Sequence, residues 1–152
     1  MDLKRQQIES FTVSGLRVRT TNDAEHKPES AKIGPMWGSF FSKGLADEIP
    51  GKQSGSPVYG VYSNYESDAS GRFDVTAGVA VSQPPAGFES VAIDGGDYLV
   101  FEAQGAMPDA VISTWGTVWS FFEANPQIKR RFATDFEAYT GPESVSVYIG
   151  VH

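Results

Sequence analysis

Phe132-Ala133-Thr134-Asp135-Phe136-Glu137-Ala138-Tyr139 sets one carboxylate, Glu137, inside an aromatic run of strand-forming residues. At period two, Asp135, Glu137 and Tyr139 fall on one face and Phe136, Ala138 and Thr140 on the other. Glu137 is then either a solvated edge charge or the single acid lining an apolar pocket. The stretch by itself favours the solvated reading, because a glutamate is almost never fully buried unless it is paired.

Working outward, a Thr140-Gly141-Pro142-Glu143 turn leads into the alternating strand Val145 to Val151. Upstream lies the clearest helix. It has Pro108 at its first position and Asp109 in its first turn, with Val111, Ile112, Trp115, Val118, Trp119 and Phe122 on one face, and it stops at Asn125-Pro126. Between helix and strand, Lys129-Arg130-Arg131 reads as a solvated turn. Before the helix, Phe88 to Ile93 and Tyr98 to Gly105 are strands, and the Asp94-Gly95-Gly96-Asp97 turn between them suits a tight hairpin.

The first half has the same order of elements. Phe11 to Arg19 is a strand, and a polar segment from Ala24 to Ser30 follows. Ile33, Trp37, Phe40, Phe41 and Leu45 then keep the spacing of one helical face, in a helix that begins near Gly34 or Pro35 and ends before Pro50. A Gly/Ser/Pro-rich loop from Gly51 to Pro57 delivers the strand Val58 to Tyr62. An acidic turn region from Asn64 to Arg72 joins it to a hairpin partner, Phe73 to Val81, and Gln83 to Gly87 is the seam between the halves.

These halves invite comparison. Trp37-Gly38-Ser39-Phe40-Phe41 lies over Trp115-Gly116-Thr117-Val118-Trp119, and the same register places Tyr59 opposite Glu137 and Val61 opposite Tyr139. The expected architecture is α+β: one domain, residues 1–152, made of two β-α-β-β pseudo-repeats (about 8–82 and 88–152) whose sheets meet around a central cleft.

Composition narrows the function. The chain has 152 residues, 40% hydrophobic and 20% charged, which suits one soluble globular domain. A net charge of −7 argues against direct nucleic-acid binding, whose affinity comes from basic surface. No run of about 20 apolar residues is present to cross a membrane, the N-terminus has no apolar signal core, and there are no cysteines, a combination that favours the cytoplasm. His26 and His152 make neither a convincing base nor a metal cluster, and no glycine-rich nucleotide loop or nucleophile elbow occurs, so no cofactor or metal is expected.

Two acids interrupt apolar strands, Glu102 and Glu137. Desolvation drives a lone carboxylate among aromatic rings to take up a proton, whereas a bound organic cation reverses that preference and gains cation–π attraction from the rings. Trp37, Tyr59, Trp115, Tyr139 and Tyr148 recur at corresponding points of the two halves and suit a shared pocket lining as well as a plain core, whereas Phe41, Phe121 and Phe122 read as core.

Val58-Tyr59-Gly60-Val61-Tyr62 followed by Asn64-Tyr65-Glu66-Ser67-Asp68, then Tyr98-Leu99-Val100-Phe101, the Trp-bearing helix, Asp135 to Tyr139 and Val147-Tyr148-Ile149 together resemble the GyrI-like effector-binding domains of AraC-type and MerR-type multidrug regulators. Closer still, the chain is similar to stand-alone members carried on integron cassettes that bind cationic drugs. The resemblance implies a duplicated β-α-β-β fold, an aromatic cleft and a buried glutamate in the penultimate strand. Glu137 matches that glutamate; Glu102 matches less clearly. The implied function is non-enzymatic binding of an amphipathic cation, with Glu137 as counter-charge, Glu102 as a further candidate acid, and Trp37, Phe40, Tyr59, Trp115, Tyr139 and Tyr148 as lining. The implied partners are a DNA-binding regulator or gyrase, the latter in an alternative in which the chain is a gyrase-inhibitor-like protein-interaction module acting through its acidic surface. Some relatives of this fold are hydrolases, which offers an alternative in which Glu137 activates water and Tyr139 or Tyr148 donates a proton. No helix-turn-helix segment accompanies the domain, which speaks against transcriptional control by this chain alone.

Overall fold

The computed structural model describes residues 3–67 and 70–152. Its elements run β1 (Lys4–Ile8), β2 (Phe11–Thr20), α1 (Asn22–Glu25), α2 (Ile33–Ser42), α3 (Leu45–Glu48), β3 (Val58–Ser63), β4 (Phe73–Val81), β5 (Glu89–Ile93), β6 (Gly96–Gln104), α4 (Asp109–Ala124), β7 (Arg130–Gly141) and β8 (Ser144–Val151). All eight strands form one antiparallel sheet in the order β1-β6-β8-β7-β3-β4-β2-β5. The expected α+β class and two main helices are present. Exchanging β1 with β5, β2 with β6, β3 with β7 and β4 with β8 gives the same order read from the opposite edge.

Two links decide the shape. Asp94-Gly95 joins β5 to β6, and Glu9-Ser10 joins β1 to β2, yet each pair of strands lies six places apart in the sheet. Laid flat at a spacing of about 4.8 Å, six places would span about 29 Å, whereas three Cα–Cα steps reach no more than about 11 Å. The sheet must therefore curl until its outer strands meet. Val13, Val61, Ile93, Tyr98 and Phe136, drawn from strands distant in the sheet, pack together inside the curl. The expected hairpin at Asp94 to Asp97 is thus a crossing instead: β5 pairs with β2, and β6 with β1 and β8.

Side chains pin this crossing. The Asp94 amide donates to Thr134 Oγ1 at 2.9 Å, and the Tyr98 hydroxyl bridges the Asp94 carbonyl and Thr134. Arg131 lies 4.9 Å from the Tyr98 ring, pairs with Asp94 and donates to the carbonyls of Gly95 and Asp97. Gly96 has φ 147°, and a Cβ there would meet Arg131 Nη1 at 2.9 Å. Within the β2–β4 pairing Gly15 lies opposite Gly78, so close that a Cβ on Gly15 would lie 1.8 Å from the Ala77 carbonyl oxygen.

Both main helices lie on the opposite face of the sheet. α2 rests on β2 and β4 and buries Met36 and Phe40 against Val75, Ala77 and Val79. α4 rests on β6 and β8 and buries Val111 and Val118 against Leu99, Phe101, Val147 and Ile149. The first helix starts at Ile33, with Pro35 still inside the first turn, and breaks at Lys43-Gly44, where Gly44 adopts φ 59° before the short α3. Strand β1 escapes the pattern rules because Lys4-Arg5-Gln6-Gln7 is an exposed edge with no apolar alternation. Asp68, part of the Asn64 to Asp68 motif, lies outside the described residues.

Lys129-Arg130-Arg131 is not a solvated turn, since β7 begins at Arg130. In a straight strand, residues five apart are separated by about 16 Å and point to opposite faces. A bulge between Arg130 and Asp135, with Phe132 at φ 52°, brings the two side chains together. Arg130 Nη2 donates to the fully buried Asp135 at 2.6 Å, while Tyr65 and the Gly150 amide donate to the same carboxylate at 2.5 and 2.9 Å. Removing the arginine strands a buried anion. Arg130→Ala is expected to cost about 3–5 kcal/mol, read as a lowered urea midpoint at unchanged slope.

Candidate functional site

The two helices cover the outer strands of the sheet and leave β3 and β7, its central pair, uncovered between them. That gap is a cleft of about 1330 Å³ whose walls are Trp37 and Phe41 of α2 and Val111, Ile112, Trp115 and Trp119 of α4. Val58, Tyr62, Glu137 and Tyr139 form its floor, because Val58 pairs with Tyr139, and Gly60 with Glu137, across the two strands. One end is closed by Tyr65, Phe73 and Arg130 and the other by Thr140-Gly141-Pro142. Glu25 and His26 line its margin, where Glu25 accepts from the backbone amides of Lys32 and Ile33 at the start of α2.

Glu137 is 3% exposed and makes no ion pair among the described residues. Three donors surround it: Trp115 Nε1 at 2.6 Å and the Tyr62 hydroxyl at 2.9 Å reach Oε2, and the Tyr139 hydroxyl at 2.8 Å reaches Oε1. Burial raises its pKa above the ordinary carboxylate value, and these three hydrogen bonds oppose that rise only in part. Burial also pushes the Tyr62 and Tyr139 hydroxyls upward, and the glutamate charge beside them adds to the effect. Both phenols therefore stay protonated and keep donating. Gly60 is required beneath this group, since a Cβ there would meet Glu137 Oε1 at 2.8 Å and Trp37 at 3.0 Å.

Aromatic contacts organise the walls. Trp37 stacks on Phe41 at 5.6 Å and meets Tyr139 edge-on at 5.5 Å, while Trp115 packs at 4.9 Å from Tyr62 and 6.5 Å from Trp119. Phe41, expected in the core, is 62% exposed and belongs to the cleft mouth with Ile112 and Trp119. The helical periodicity placed these residues on an apolar face without revealing that each face is split between the sheet and the cleft.

Of the eight residues expected in the pocket, the structure brings Trp37, Trp115, Glu137 and Tyr139 to one cleft. Four lie elsewhere. Glu102 is an exposed side chain, 58% accessible, in an ion pair with Lys4 of β1. Tyr59 and Tyr148 face the inside of the curl, where Tyr148 stacks on Phe136 at 4.4 Å and Tyr59 lies 5.9 Å from the same ring. Phe40 is buried beneath α2 in the core. Tyr59 falls on the opposite face of the sheet from Glu137, its counterpart in the gapless alignment of the halves, and a one-residue shift in a strand is enough to reverse the face. Tyr62, on the same face as Gly60, which pairs with Glu137, supplies the β3 tyrosine of the cleft floor.

Among the described residues no three His, Cys, Asp or Glu side chains gather to hold a metal, and no helix is long and apolar enough to cross a membrane. No curated protein matches the chain. Among solved structures it resembles an integron cassette protein from the mobile metagenome of Vibrio cholerae, with a TM-score of 0.85 and 38% identity over 99% of this chain and 95% of that one. It shares the fold of SAV2435, solved bound to tetraphenylphosphonium, with a TM-score of 0.82 and 22% identity over 100% of this chain and 94% of that one. A model of integron-associated effector binding proteins matches residues 6–151. With nearly the whole chain covered by that match, the protein belongs to the Cass2 family of integron-associated effector binding proteins.

Proposed function

We propose that the cleft binds amphipathic organic cations without transforming them, with Glu137 as counter-charge and Trp37, Tyr62, Trp115 and Tyr139 as the ring surfaces that hold the apolar body. The observation that carries this reading is the contrast between two buried acids on one strand. Asp135 has Arg130 against it, whereas two residues later Glu137 has only neutral donors. Desolvation makes an uncompensated carboxylate unfavourable in the empty cleft, and a bound cation relieves that cost. Aromatic faces add cation–π attraction of about 0.5–2 kcal/mol per good contact. Tetraphenylphosphonium, the ligand of SAV2435, is a bulky lipophilic cation of this kind and supports the reading.

Binding is favoured over hydrolysis by the same hydrogen bonds. A general base must accept a proton from a water that it contacts, and three of the about four lone-pair positions of Glu137 already serve Trp115, Tyr62 and Tyr139. Tyr148, the alternative proton donor, lies on the other face of the sheet. Readout of the bound state would then fall to a macromolecular partner such as a DNA-binding regulator or gyrase. Co-precipitation of purified protein with each, in the presence and absence of tetraphenylphosphonium, tests that assignment.

Glu137→Gln keeps the shape and a set of hydrogen bonds but removes the charge. At about 6 Å and an effective dielectric constant of about 20, the lost attraction is about 3 kcal/mol, or about a hundredfold in Kd for tetraphenylphosphonium by tryptophan-fluorescence titration. An equal loss for a neutral aromatic ligand would remove the counter-charge role. The same substitution is expected to raise the thermal midpoint of the ligand-free protein at neutral pH. With its folded pKa raised, Glu137 contributes stability below its unfolded pKa, and that contribution disappears as pH climbs through the folded value.

Cation affinity should run the opposite way with pH. It is full above the raised pKa of Glu137 and falls as acid protonates the group, over a window that begins above the ordinary carboxylate range. Titrations of wild type and Glu137→Gln between neutral and mildly acidic pH check this, since only wild type should show the fall. Gly60→Ala, which drives a methyl against Glu137 and Trp37, is expected to weaken both cationic and neutral ligands at least about tenfold, because overpacking of about 1–3 kcal/mol reshapes the floor.

A further inference from the structure

Glu137 does more than supply a charge, because its surroundings also determine which cations can use it. A carboxylate offers about four lone-pair positions. Two on Oε2 are taken by Trp115 and Tyr62, and one on Oε1 by Tyr139. Oε1 also lies against Gly60, close enough that a Cβ there would sit 2.8 Å away. At 3% exposure the group is sealed beneath its own donors. Glu137 reaches the cleft floor only through the small area its donors leave, so the cleft presents the field of an anion behind a surface made mostly of aromatic rings.

Ligand cations respond to such a surface in two ways. A primary ammonium carries three N–H donors that water satisfies and that the covered carboxylate of Glu137, its lone pairs held by Trp115, Tyr62 and Tyr139, meets poorly. Burying donors without acceptors is costly. An onium ion or quaternary ammonium has no N–H to satisfy, spreads its charge over a large apolar body and meets the rings directly. We infer that the Tyr62–Trp115–Tyr139 collar is a specificity device that selects donorless lipophilic cations, quaternary ammonium and phosphonium, over protonated primary amines of the same shape. The inference rests on the counter-charge role of Glu137 proposed above.

Tyr139 is the residue through which this selection can be changed. It is the sole side-chain donor to Oε1 among the described residues, it lines the cleft, and its ring without the hydroxyl still packs edge-on to Trp37. Removing the hydroxyl exposes an acceptor to the ligand while leaving the charge and the ring surface in place. Trp115→Phe does the same for one position on Oε2.

The test uses one triphenylethyl skeleton bearing a trimethylammonium, a primary ammonium or a neutral hydroxyl, titrated calorimetrically against the full chain at a pH where the amine is charged. In wild type the quaternary ligand should bind at least about tenfold more tightly than the primary ammonium, the scale of an unsatisfied donor. Tyr139→Phe should narrow that ratio several-fold by improving the primary ammonium, and Trp115→Phe should shift it in the same direction. Equal affinities for the two cations in wild type, or a ratio unchanged in both variants, overturn the inference while leaving the counter-charge reading intact. A neutral ligand that binds as tightly as the quaternary cation overturns the counter-charge reading and the inference together. If one variant fails to fold, the other carries the comparison.

Discussion

Two links of two residues each tie together strands that lie six places apart in the sheet, and this topological constraint shapes everything else in the molecule. The sheet can satisfy it only by curling, which turns one face inward and makes that face a core without any helix. The helices are left with the other face. Because each packs on the outer strands of its own half, the central strands β3 and β7 are left open between them. The cleft is thus a consequence of chain connectivity, with Arg131, Thr134 and Tyr98 fastening one crossing and the glycine pair Gly15–Gly78 admitting the close approach of β2 and β4.

The central position of β7 gives its two acids opposite fates. Asp135 lies at the end where the bulge folds Arg130 back, so its charge is neutralised and contributes to the fold. Glu137 lies over the uncovered pair of strands, where no basic side chain among the described residues pairs with it and three neutral donors hold it in place. A buried ion pair of the first kind is structural, because breaking it leaves a charge stranded. An unpaired carboxylate of the second kind costs the ligand-free protein stability, and under the cation-binding role we propose a ligand would remove that cost. The same three donors stabilise the charge and cover its oxygens, so in that proposal they would link how strongly a cation is held to what kind of cation fits.

Much of this was legible from pattern. The period-two alternation at Asp135, Glu137 and Tyr139 placed all three on one face; Glu137 and Tyr139 line the cleft, and Asp135 is bonded by Tyr65 and Arg130 at its end. The Trp37 and Trp115 helices, the strands from Phe73 to Val81 and from Ser144 to Val151, and the break at Gln83 to Gly87 follow from local periodicity and breakers. What pattern misplaced involved partners distant in the chain. Glu102 alternates within an apolar strand as Glu137 does, but β1 supplies Lys4 beside it at an exposed edge. Tyr59 and Tyr148 carry the same rings as Tyr62 and Tyr139 and differ only in which face they take. Phe41 lies on the apolar side of its helix, yet that side is wider than its contact with the sheet.

The amino-acid sequence by itself determined the elements, the apolar face of each, and the unusual placement of one carboxylate among aromatic residues, because these depend on neighbours within a few positions along the chain. Only the tertiary structure decided that the Asp94-Gly95 link is a crossing and not a hairpin, that Arg130 belongs to Asp135, and that Glu137 forms no ion pair among the described residues. Each of those depends on strand pairing between residues far apart in the chain, and pairing is set by the curl of the whole sheet.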